Sequence, residues 1–217
     1  MQTILYAGIG IILLLILVAG IWRLSSNRES IPCPAWLGWM VEMDNPILRN
    51  NNAREIISHL DLKPGMCVLD FGCGPGRLTI PAARQVGPTG SVTAFDLQPG
   101  MLERVRARAM QENLNNIVFL QGAAGEGKLG YNKYDRALLV TVLGEVPDRQ
   151  ALMKEIYASL KPGAWLAITE AIADPHFQRR STVQEAAGAD GFFEKSFFGN
   201  KISYTMVFEK PRIVAGE

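Results

Sequence analysis

The sequence has few cysteines and histidines and no cluster of basic residues, the features that are typical of disulfide-bonded, zinc-binding and nucleic-acid-binding proteins. Its 217 residues include 3 cysteines and 2 histidines. Because Cys67 and Cys73 fall within one short apolar, glycine-containing stretch and leave Cys33 alone, we predict neither a disulfide framework nor a metal site. The 22 basic and 21 acidic side chains give a net charge of +1, without a dense Lys/Arg block. No nucleic-acid partner is therefore expected.

One long hydrophobic run stands near the amino terminus. Residues 4–22 carry no charge over 19 positions, and as a helix they would extend about 28 Å, close to the ~30 Å hydrocarbon core of a bilayer. Arg23 and Arg28 follow the run and no basic residue precedes it, which favours a cytoplasmic location for the rest of the chain. A cleaved secretory signal is the alternative, but the length of the run favours an uncleaved anchor. We predict a single-pass transmembrane anchor over residues 1–23.

Residues 24–52 are predicted to form a juxtamembrane segment. Pro32 and Pro34 prevent a long regular helix there, and Trp36 and Trp39 suit the headgroup boundary of a bilayer. The same tryptophans would also serve to cover an apolar flank of the domain that follows. The sequence leaves both interpretations open.

Strand and helix patterns alternate beyond residue 52 and predict an α/β domain over residues 53–217. Lys161-Pro162-Gly163 is predicted to stop the fourth of these helices, and Gly199-Asn200 to form a two-residue hairpin turn. The alternation favours a doubly wound, mostly parallel sheet. The predicted helices cover 53–60, 77–85, 99–113, 148–160 and 181–187, and the predicted strands cover 66–71, 91–95, 117–121, 135–140, 165–170, 192–198 and 202–209.

The most informative motif is Gly72-Cys73-Gly74-Pro75-Gly76, which follows the apolar strand Val68-Leu69-Asp70-Phe71 and precedes a helix. Glycines at such a turn let the backbone approach an adenosine-bearing cofactor. The third glycine comes one residue earlier than in the dinucleotide-binding pattern, and the acid Asp70 stands two residues before the first. Since Asp96 ends the next strand, the pattern favours S-adenosylmethionine over a dinucleotide.

Four segments in this order resemble the class I S-adenosylmethionine-dependent methyltransferases, nearest to the ubiquinone/menaquinone-type small-molecule enzymes. They are residues 68–76, 93–96, 134–140 and 160–166. The resemblance implies a Rossmann-like, seven-stranded, mostly parallel sheet with an antiparallel last strand. It also implies that S-adenosylmethionine is the cofactor and that the activity is methyl transfer.

The cofactor-binding residues implied by the resemblance share a place at the carboxyl ends of the first four strands. Asp70 would balance the methionyl ammonium, Asp96 would accept the ribose hydroxyls, and Leu97 would lie against adenine. A helix-capping role is the alternative for Asp96. The full set is Asp70, Gly72, Cys73, Gly74, Gly76, Asp96, Leu97, Gly122, Ala123 and Thr141.

The adenine end departs from the family pattern. Members usually carry an acid beside a glycine after the third strand, to meet the adenine amino group. This chain reads Gly122-Ala123-Ala124 there, and Ala123 has no side-chain acceptor. The sequence therefore does not show how adenine is held.

Three residues are candidates for the chemistry. Glu145 follows the fourth strand, Glu170 ends the fifth, and His176 lies just beyond it in the region that usually covers the substrate. Methyl transfer from a sulfonium needs positioning more than it needs a base. A structural or capping role is the alternative for Glu145, and a surface position is the alternative for His176. His59 is expected to pack or to face solvent, and Tyr204 is expected to lie in the core or at the edge of the sheet.

The anchor and the resemblance together predict a membrane-anchored methyltransferase that acts on a lipophilic or membrane-associated small molecule. The bilayer and that acceptor are the expected partners, and the catalytic domain is expected to face the cytoplasm. A methyltransferase of a protein or soluble metabolite that is merely tethered is one alternative. A non-catalytic, cofactor-binding scaffold is another, since the sequence shows no obvious base.

Overall fold

The computed structural model describes residues 49–212, together with the isolated helical positions 6, 8, 10 and 17. The anchor predicted over residues 1–23, apart from those four positions, and the juxtamembrane segment up to residue 48 lie outside the described residues. Within the described part of the chain, no helix combines the length and the apolar character that a bilayer crossing requires.

The described chain alternates strands and helices as the sequence pattern predicts, after a short 3₁₀ turn at Arg49–Asn51. Its predicted elements are all present, with ends that differ by a few residues. The helices are α1 (Ala53–Ser58), α2 (Thr79–Val86), α3 (Pro99–Gln111), α4 (Arg149–Ser159) and α5 (Arg180–Ala189). The strands are β1 (Cys67–Phe71), β2 (Ser91–Asp96), β3 (Ile117–Gln121), β4 (Tyr134–Val140), β5 (Leu160–Ala171), β6 (Phe193–Gly199) and β7 (Ser203–Glu209).

The strands form one seven-stranded sheet in the order β3-β2-β1-β4-β5-β7-β6. The pairs from β3 to β5 are all parallel, whereas β7 runs antiparallel to both of its neighbours. The Rossmann-like sheet with an antiparallel last strand is thus confirmed. Chain order reverses between β1 and β4, and α/β sheets bind their ligands in the crevice that opens outside such a reversal.

The central strands are buried on both faces, which explains their continuous apolar sequence. In β4, Ala137 and Leu139 pack into a core that includes residues of α4 and α5, while Leu138 packs into a second core with residues of α1 and α2. This alternation follows from the two-residue repeat of a strand. The helices therefore cover both faces, and the carboxyl edge carries the loops that can bind a ligand.

The structure corrects the predicted role of Lys161-Pro162-Gly163. Helix α4 ends before it, at Ser159, and the three residues lie inside β5. Leu160 pairs with Tyr134 and Trp165 with Arg136, so a bulge interrupts the ladder between these pairs. A bulge tolerates a proline, which has no N–H to donate to the ladder.

The hairpin between β6 and β7 is confirmed, but the predicted two-residue turn is wrong. Gly199 is the last residue of β6, and residues 200–202 form the connection. The Asn200 side-chain oxygen accepts hydrogen bonds from the backbone N–H groups of Ile202 and Ser203. An asparagine that binds the backbone two residues on forms its own turn, and this turn lengthens the connection.

Candidate active site

The glycine-rich loop after β1 is held against the end of β2. The backbone N–H groups of Gly72 and Cys73 both donate to the Phe95 carbonyl, over 2.8 and 3.0 Å. Gly72 has a φ of +69°, and a Cβ there would lie 2.4 Å from Val142 Cγ2. Only glycine fits this position, because the conformation and the contact both exclude a side chain.

Asp96 joins this loop to the start of α3. Its Oδ2 accepts from the Gly74 N–H over 2.9 Å, and its Oδ1 accepts from the Gln98 N–H over 2.8 Å. Burial raises the pKa of this carboxyl, and the hydrogen bonds from Gln98 and Gly74 oppose that effect. The second bond is a turn contact with the residue two positions on, and the N-cap of α3 is Gln98, which has no side-chain capping bond, so Asp96 does not cap this helix. Since each carboxylate oxygen has a further lone pair, both remain able to accept a hydroxyl.

Asp70 lies beneath the loop, almost fully buried. Its Oδ2 accepts from the Thr79 hydroxyl over 2.6 Å. Burial raises the pKa of Asp70 to about 6, with the Thr79 bond lowering it and the Asp96 charge raising it. A nearby ammonium would favour the ionised form of such a carboxyl. Thr79, in the first turn of α2, is a contact that the sequence reasoning missed.

Cys73 lies in the loop as a buried, neutral thiol. Burial raises the pKa of this thiol, and the charges of Asp70 and Asp96 raise it further. Because the thiolate is the reactive form, Cys73 contributes backbone and packing to the loop. Its predicted place among the cofactor-binding residues is compatible with this surrounding.

At the adenine end, a carboxylate comes from a residue that the motif comparison did not consider. Glu126 places Oε2 3.0 Å from the point where a Cβ on Gly122 would stand. A hydrogen bond from Lys128 and another from the Ala123 N–H lower the pKa of Glu126. Leu97, with 53% of its surface exposed, follows Asp96 at the same edge. Glu126, which also pairs with Lys128, thus places a carboxylate beside Gly122, near the position where the family pattern expects an acid.

Thr141 holds an uncommon backbone conformation at the end of β4. Its φ is +54°, a value that β-branched residues rarely adopt. The Thr141 N–H donates to the Thr169 carbonyl, and the hydroxyl donates to the Val140 carbonyl. Strain of this kind is characteristic of functional sites, and here it turns the chain so that Val142 meets Gly72.

The loops after β4 and β5 bring two of the three catalytic candidates together. His176 Nδ1 lies 3.8 Å from Glu145 Oε1 and 3.7 Å from Asp174 Oδ1. Only 3% of His176 is exposed. Gly144 permits this approach, because a Cβ there would lie 2.0 Å from the His176 carbonyl oxygen. Asp174 was not among the predicted site residues, although it stands two residues before His176.

Glu170, the third candidate, lies under the same loop. Its Oε2 accepts from the Gln178 N–H over 2.9 Å, and the Gln178 carbonyl accepts from the Tyr204 hydroxyl over 2.7 Å. Burial raises the pKa of Glu170 to about 8, and the charge of Asp174 adds to the effect. Among the described residues, nothing is within hydrogen-bonding distance of the buried Oε1. Glu170 therefore holds this loop in place through Gln178, and its raised pKa favours the neutral form at pH 7.

The second histidine, His59, lies outside the candidate site. His59 stacks on Phe198 with ring centroids 3.7 Å apart, which confirms its predicted packing role. Tyr204 is buried on β7, as predicted, and adds the hydroxyl contact to Gln178. In residues 49–212, no group of three or more His, Cys, Asp or Glu side chains is arranged to hold a metal ion.

These features fit a bound S-adenosylmethionine. A glycine-rich loop lies next to Asp96, a buried carboxylate that can accept further hydrogen bonds. The half-exposed Leu97 and a second carboxylate, that of Glu126, follow along the same edge. The predicted residues around Gly72, Asp96, Leu97, Gly122 and Thr141 all lie at this edge of the sheet. Their individual contacts with the cofactor remain predictions.

Comparison with known proteins relates this region to methyltransferases. Residues 68–163 match a family model described as a methyltransferase domain. A SAM-dependent methyltransferase from Aquifex aeolicus has the same fold, with a TM-score of 0.73 over 82% of this chain and 99% of that one, at 19% identity. Residues 68–163 are thus similar to a methyltransferase domain, and the described residues share the fold of the Aquifex protein.

Two curated relatives with the same name match part of this chain. Demethylmenaquinone methyltransferase of Listeria welshimeri is 32% identical over 114 residues, which is 52% of this chain and 48% of that protein. The enzyme of the same name from Lactococcus lactis is 35% identical over 106 residues, covering 49% of this chain and 42% of that protein. The chain thus spans about half the length of the curated relatives it matches.

Proposed function

We propose that this protein transfers a methyl group from S-adenosylmethionine to a lipophilic, quinone-type small molecule. The observation that carries the proposal is the link between the glycine-rich loop and the ribose-side carboxylate, in which the Gly74 N–H donates to Asp96. This link builds one continuous cradle from two strand ends. When bound, the cofactor supplies a methyl group on a sulfonium that is already activated for in-line displacement.

The acceptor side is formed by the loops after β4 and β5. His176 is the candidate there for accepting a proton from the acceptor. The carboxylates of Glu145 and Asp174 each lie within 4 Å of its Nδ1 and would orient the imidazole ring. An acceptor that loses a hydroxyl proton as it attacks the methyl group would suit this arrangement. Glu170 serves by fixing the loop through Gln178.

The quinone-type acceptor is supported by the relatives, two of which are named for demethylmenaquinone. The buried surroundings of His176 and Glu170 suit an apolar ring, since they exclude water from the reacting groups. Sequence composition supports the membrane setting. We propose that residues 4–22 anchor the chain in a single pass and that the domain faces the cytoplasm, where the tether would raise the local concentration of a lipid-soluble acceptor.

The experiment uses the full chain with S-adenosylmethionine labelled in the methyl group. It offers a short-chain demethylmenaquinol in detergent and, separately, a water-soluble cell extract that contains no lipid. We expect label in the quinone product and none in the soluble extract. Equal or greater labelling of soluble molecules would reject the lipophilic acceptor, and no labelling from either source would reject methyl transfer.

The two histidines supply a matched pair of variants for the proton-accepting role. His176→Gln should lower kcat by roughly 10²- to 10⁴-fold and leave the KM for S-adenosylmethionine nearly unchanged. His59→Gln changes a histidine stacked on Phe198 and should leave both constants unchanged. A kcat in His176→Gln within threefold of the natural value would show that His176 has only a structural role.

A further inference from the structure

A second cavity lies on the helical side of the domain, outside the crevice. It has a volume of about 580 Å³ and is bordered by residues of α1, α2 and α3. Its floor is apolar and includes Ile57 and Ile80, which are both buried. Four arginines line it, namely Arg54, Arg77, Arg84 and Arg108. None of the residues predicted to bind the cofactor takes part.

The lining of this arginine cavity carries one sign of charge. Its residues include four guanidinium groups and neither Asp nor Glu. Arg84 forms an ion pair with Glu112, which lies at the end of α3 outside the lining. Like charges that converge on one space repel each other, and an anion placed among them would be attracted by each. The composition therefore favours a negatively charged ligand.

Two of the arginines have fixed positions. Arg77 donates to the Asn51 carbonyl and side chain, and Arg108 donates to the Pro75 carbonyl over 3.1 Å. These contacts orient the guanidinium groups before any ligand arrives. Preorganised groups lose less conformational entropy when they bind. Arg84, although exposed, is held by Glu112 through two of its nitrogens, and Arg54 is exposed and can adjust to a ligand at the rim.

We propose that this arginine cavity binds a phosphate-bearing group. Guanidinium forks match the geometry of phosphate oxygens and bind them in pairs, which favours phosphate over a single carboxylate. The volume is within the range of small-molecule sites and exceeds what inorganic phosphate alone would fill. The apolar floor suits the glycerol and first methylenes of a phospholipid. The group can therefore come from a lipid headgroup or from a soluble phosphate compound.

The test measures binding by calorimetry to the full chain in a nonionic detergent at low salt. One probe is inorganic pyrophosphate, and the other is dihexanoylphosphatidylglycerol below its critical micelle concentration. Binding of the lipid alone identifies a headgroup site, binding of pyrophosphate alone identifies a site for a soluble phosphate compound, and binding of both shows that the phosphate group suffices. If neither probe binds at millimolar concentration, the proposal is overturned.

Substitution of single arginines tests whether the probe binds in the arginine cavity. Arg54→Gln and Arg84→Gln, both at exposed positions, should each weaken the probe by about three- to tenfold, as expected for loss of one charge-assisted hydrogen bond that is partly screened by solvent. Arg106→Gln is the control, because Arg106 lies on α3 over the Phe119 ring and does not line the cavity. An equal loss of binding in Arg106→Gln would mean that general surface charge binds the probe, and would overturn the site.

Discussion

At the scale of single residues, the fold places an acid near the position where the family pattern expects one, although the sequence has alanine there. The motif comparison looks for a carboxylate at position 123 and finds alanine. The fold instead brings Glu126 beside Gly122, where it accepts a hydrogen bond from the Ala123 N–H. The turn at Gly125, with a φ of +84°, lies between Ala123 and Glu126. A spacing rule that allowed for this turn would have found Glu126.

We predict that Glu126 accepts a hydrogen bond from the adenine amino group. Glu126→Ala should weaken binding of S-adenosylhomocysteine by about five- to tenfold, the order expected for loss of one hydrogen bond to a charged group. Binding of S-inosylhomocysteine, which lacks the amino group, should change little. Calorimetry with both ligands measures the loss of discrimination directly.

The matched control for Glu126 is Glu103→Ala, which removes an exposed carboxylate on α3. This variant should keep the preference for adenosine over inosine. If Glu126→Ala also keeps that preference, adenine is recognised by other groups and the prediction is wrong.

Other residues of the site differ in how well the sequence predicts them. Asp70, Gly72 and Asp96 were predictable because strand ends and positive-φ glycines leave clear marks in a sequence. Thr79, Asp174 and Gln178 were not, since their contacts depend on how separate loops pack. The burial of His176 also depends on packing, because it needs Gly144 in the neighbouring loop.

At the scale of elements, the loop between β1 and α2 is fixed by a contact with the end of β4. Val142 occupies the space beside Gly72 because Thr141 turns the chain with a φ of +54°. The presence of the strands and their order along the chain were predictable from apolar runs and turn signals. The bulge in β5 and the three-residue hairpin connection were not predictable, because Pro-Gly and Gly-Asn pairs occur in several different local structures.

We predict that Gly72→Ala destabilises the fold by about 2–4 kcal/mol. Roughly 1–2 kcal/mol of this comes from placing a Cβ at positive φ, and the remainder from overpacking against Val142. Gly72→Ala/Val142→Ala should recover part of the loss, since it removes the clash. The measurement is the free energy of unfolding in urea.

Gly130→Ala separates the two effects. Gly130 has a φ of +78°, near that of Gly72, but no atom lies within 4 Å of a Cβ built there. This variant should lose only the free energy needed to place a Cβ at positive φ, about 1–2 kcal/mol. Equal losses in Gly72→Ala and Gly130→Ala would show that the contact with Val142 has no energetic weight.

At the scale of the whole molecule, stability should depend on pH through its buried acids. The pKa of Glu170 is raised to about 8 from an ordinary value of 4.5, chiefly by burial, with Asp174 and Glu145 raising it and Arg149 lowering it. Between these two values the unfolded chain releases the proton and the folded chain keeps it. The free energy of unfolding therefore falls as pH rises from 4.5 to 8, by at most about 1.4 kcal/mol per pH unit for this group.

We predict that Glu170→Gln flattens this dependence. The amide imitates the neutral acid at every pH, so the variant should be more stable than the natural chain at pH 8 and similar to it at pH 4.5. Urea unfolding at several pH values measures the slopes. Glu185→Gln, at an exposed position of α5, is the control and should keep the natural slope. Identical slopes for the Glu170 variant and the natural chain would exclude Glu170 as a buried neutral acid.

The crevice at the edge of the sheet was predictable from the sequence, whereas the arginine cavity was not. Alternating strands and helices specify the sheet, and the reversal between β1 and β4 specifies where the crevice opens. The arginine cavity was not predicted, because its four guanidinium groups come from three helices and from the loop before α2. Such convergence depends on helix packing and leaves no local pattern.

The most direct test of the central claim is a crystal structure of the protein with S-adenosylhomocysteine. We expect both ribose hydroxyls within hydrogen-bonding distance of the Asp96 carboxylate and the amino-acid tail above Gly72 and Gly74. Adenine should lie against Leu97 with its amino group towards Glu126. A ligand bound elsewhere, or a crevice without ligand at saturating concentration, would contradict the assignment of this edge of the sheet as the cofactor site.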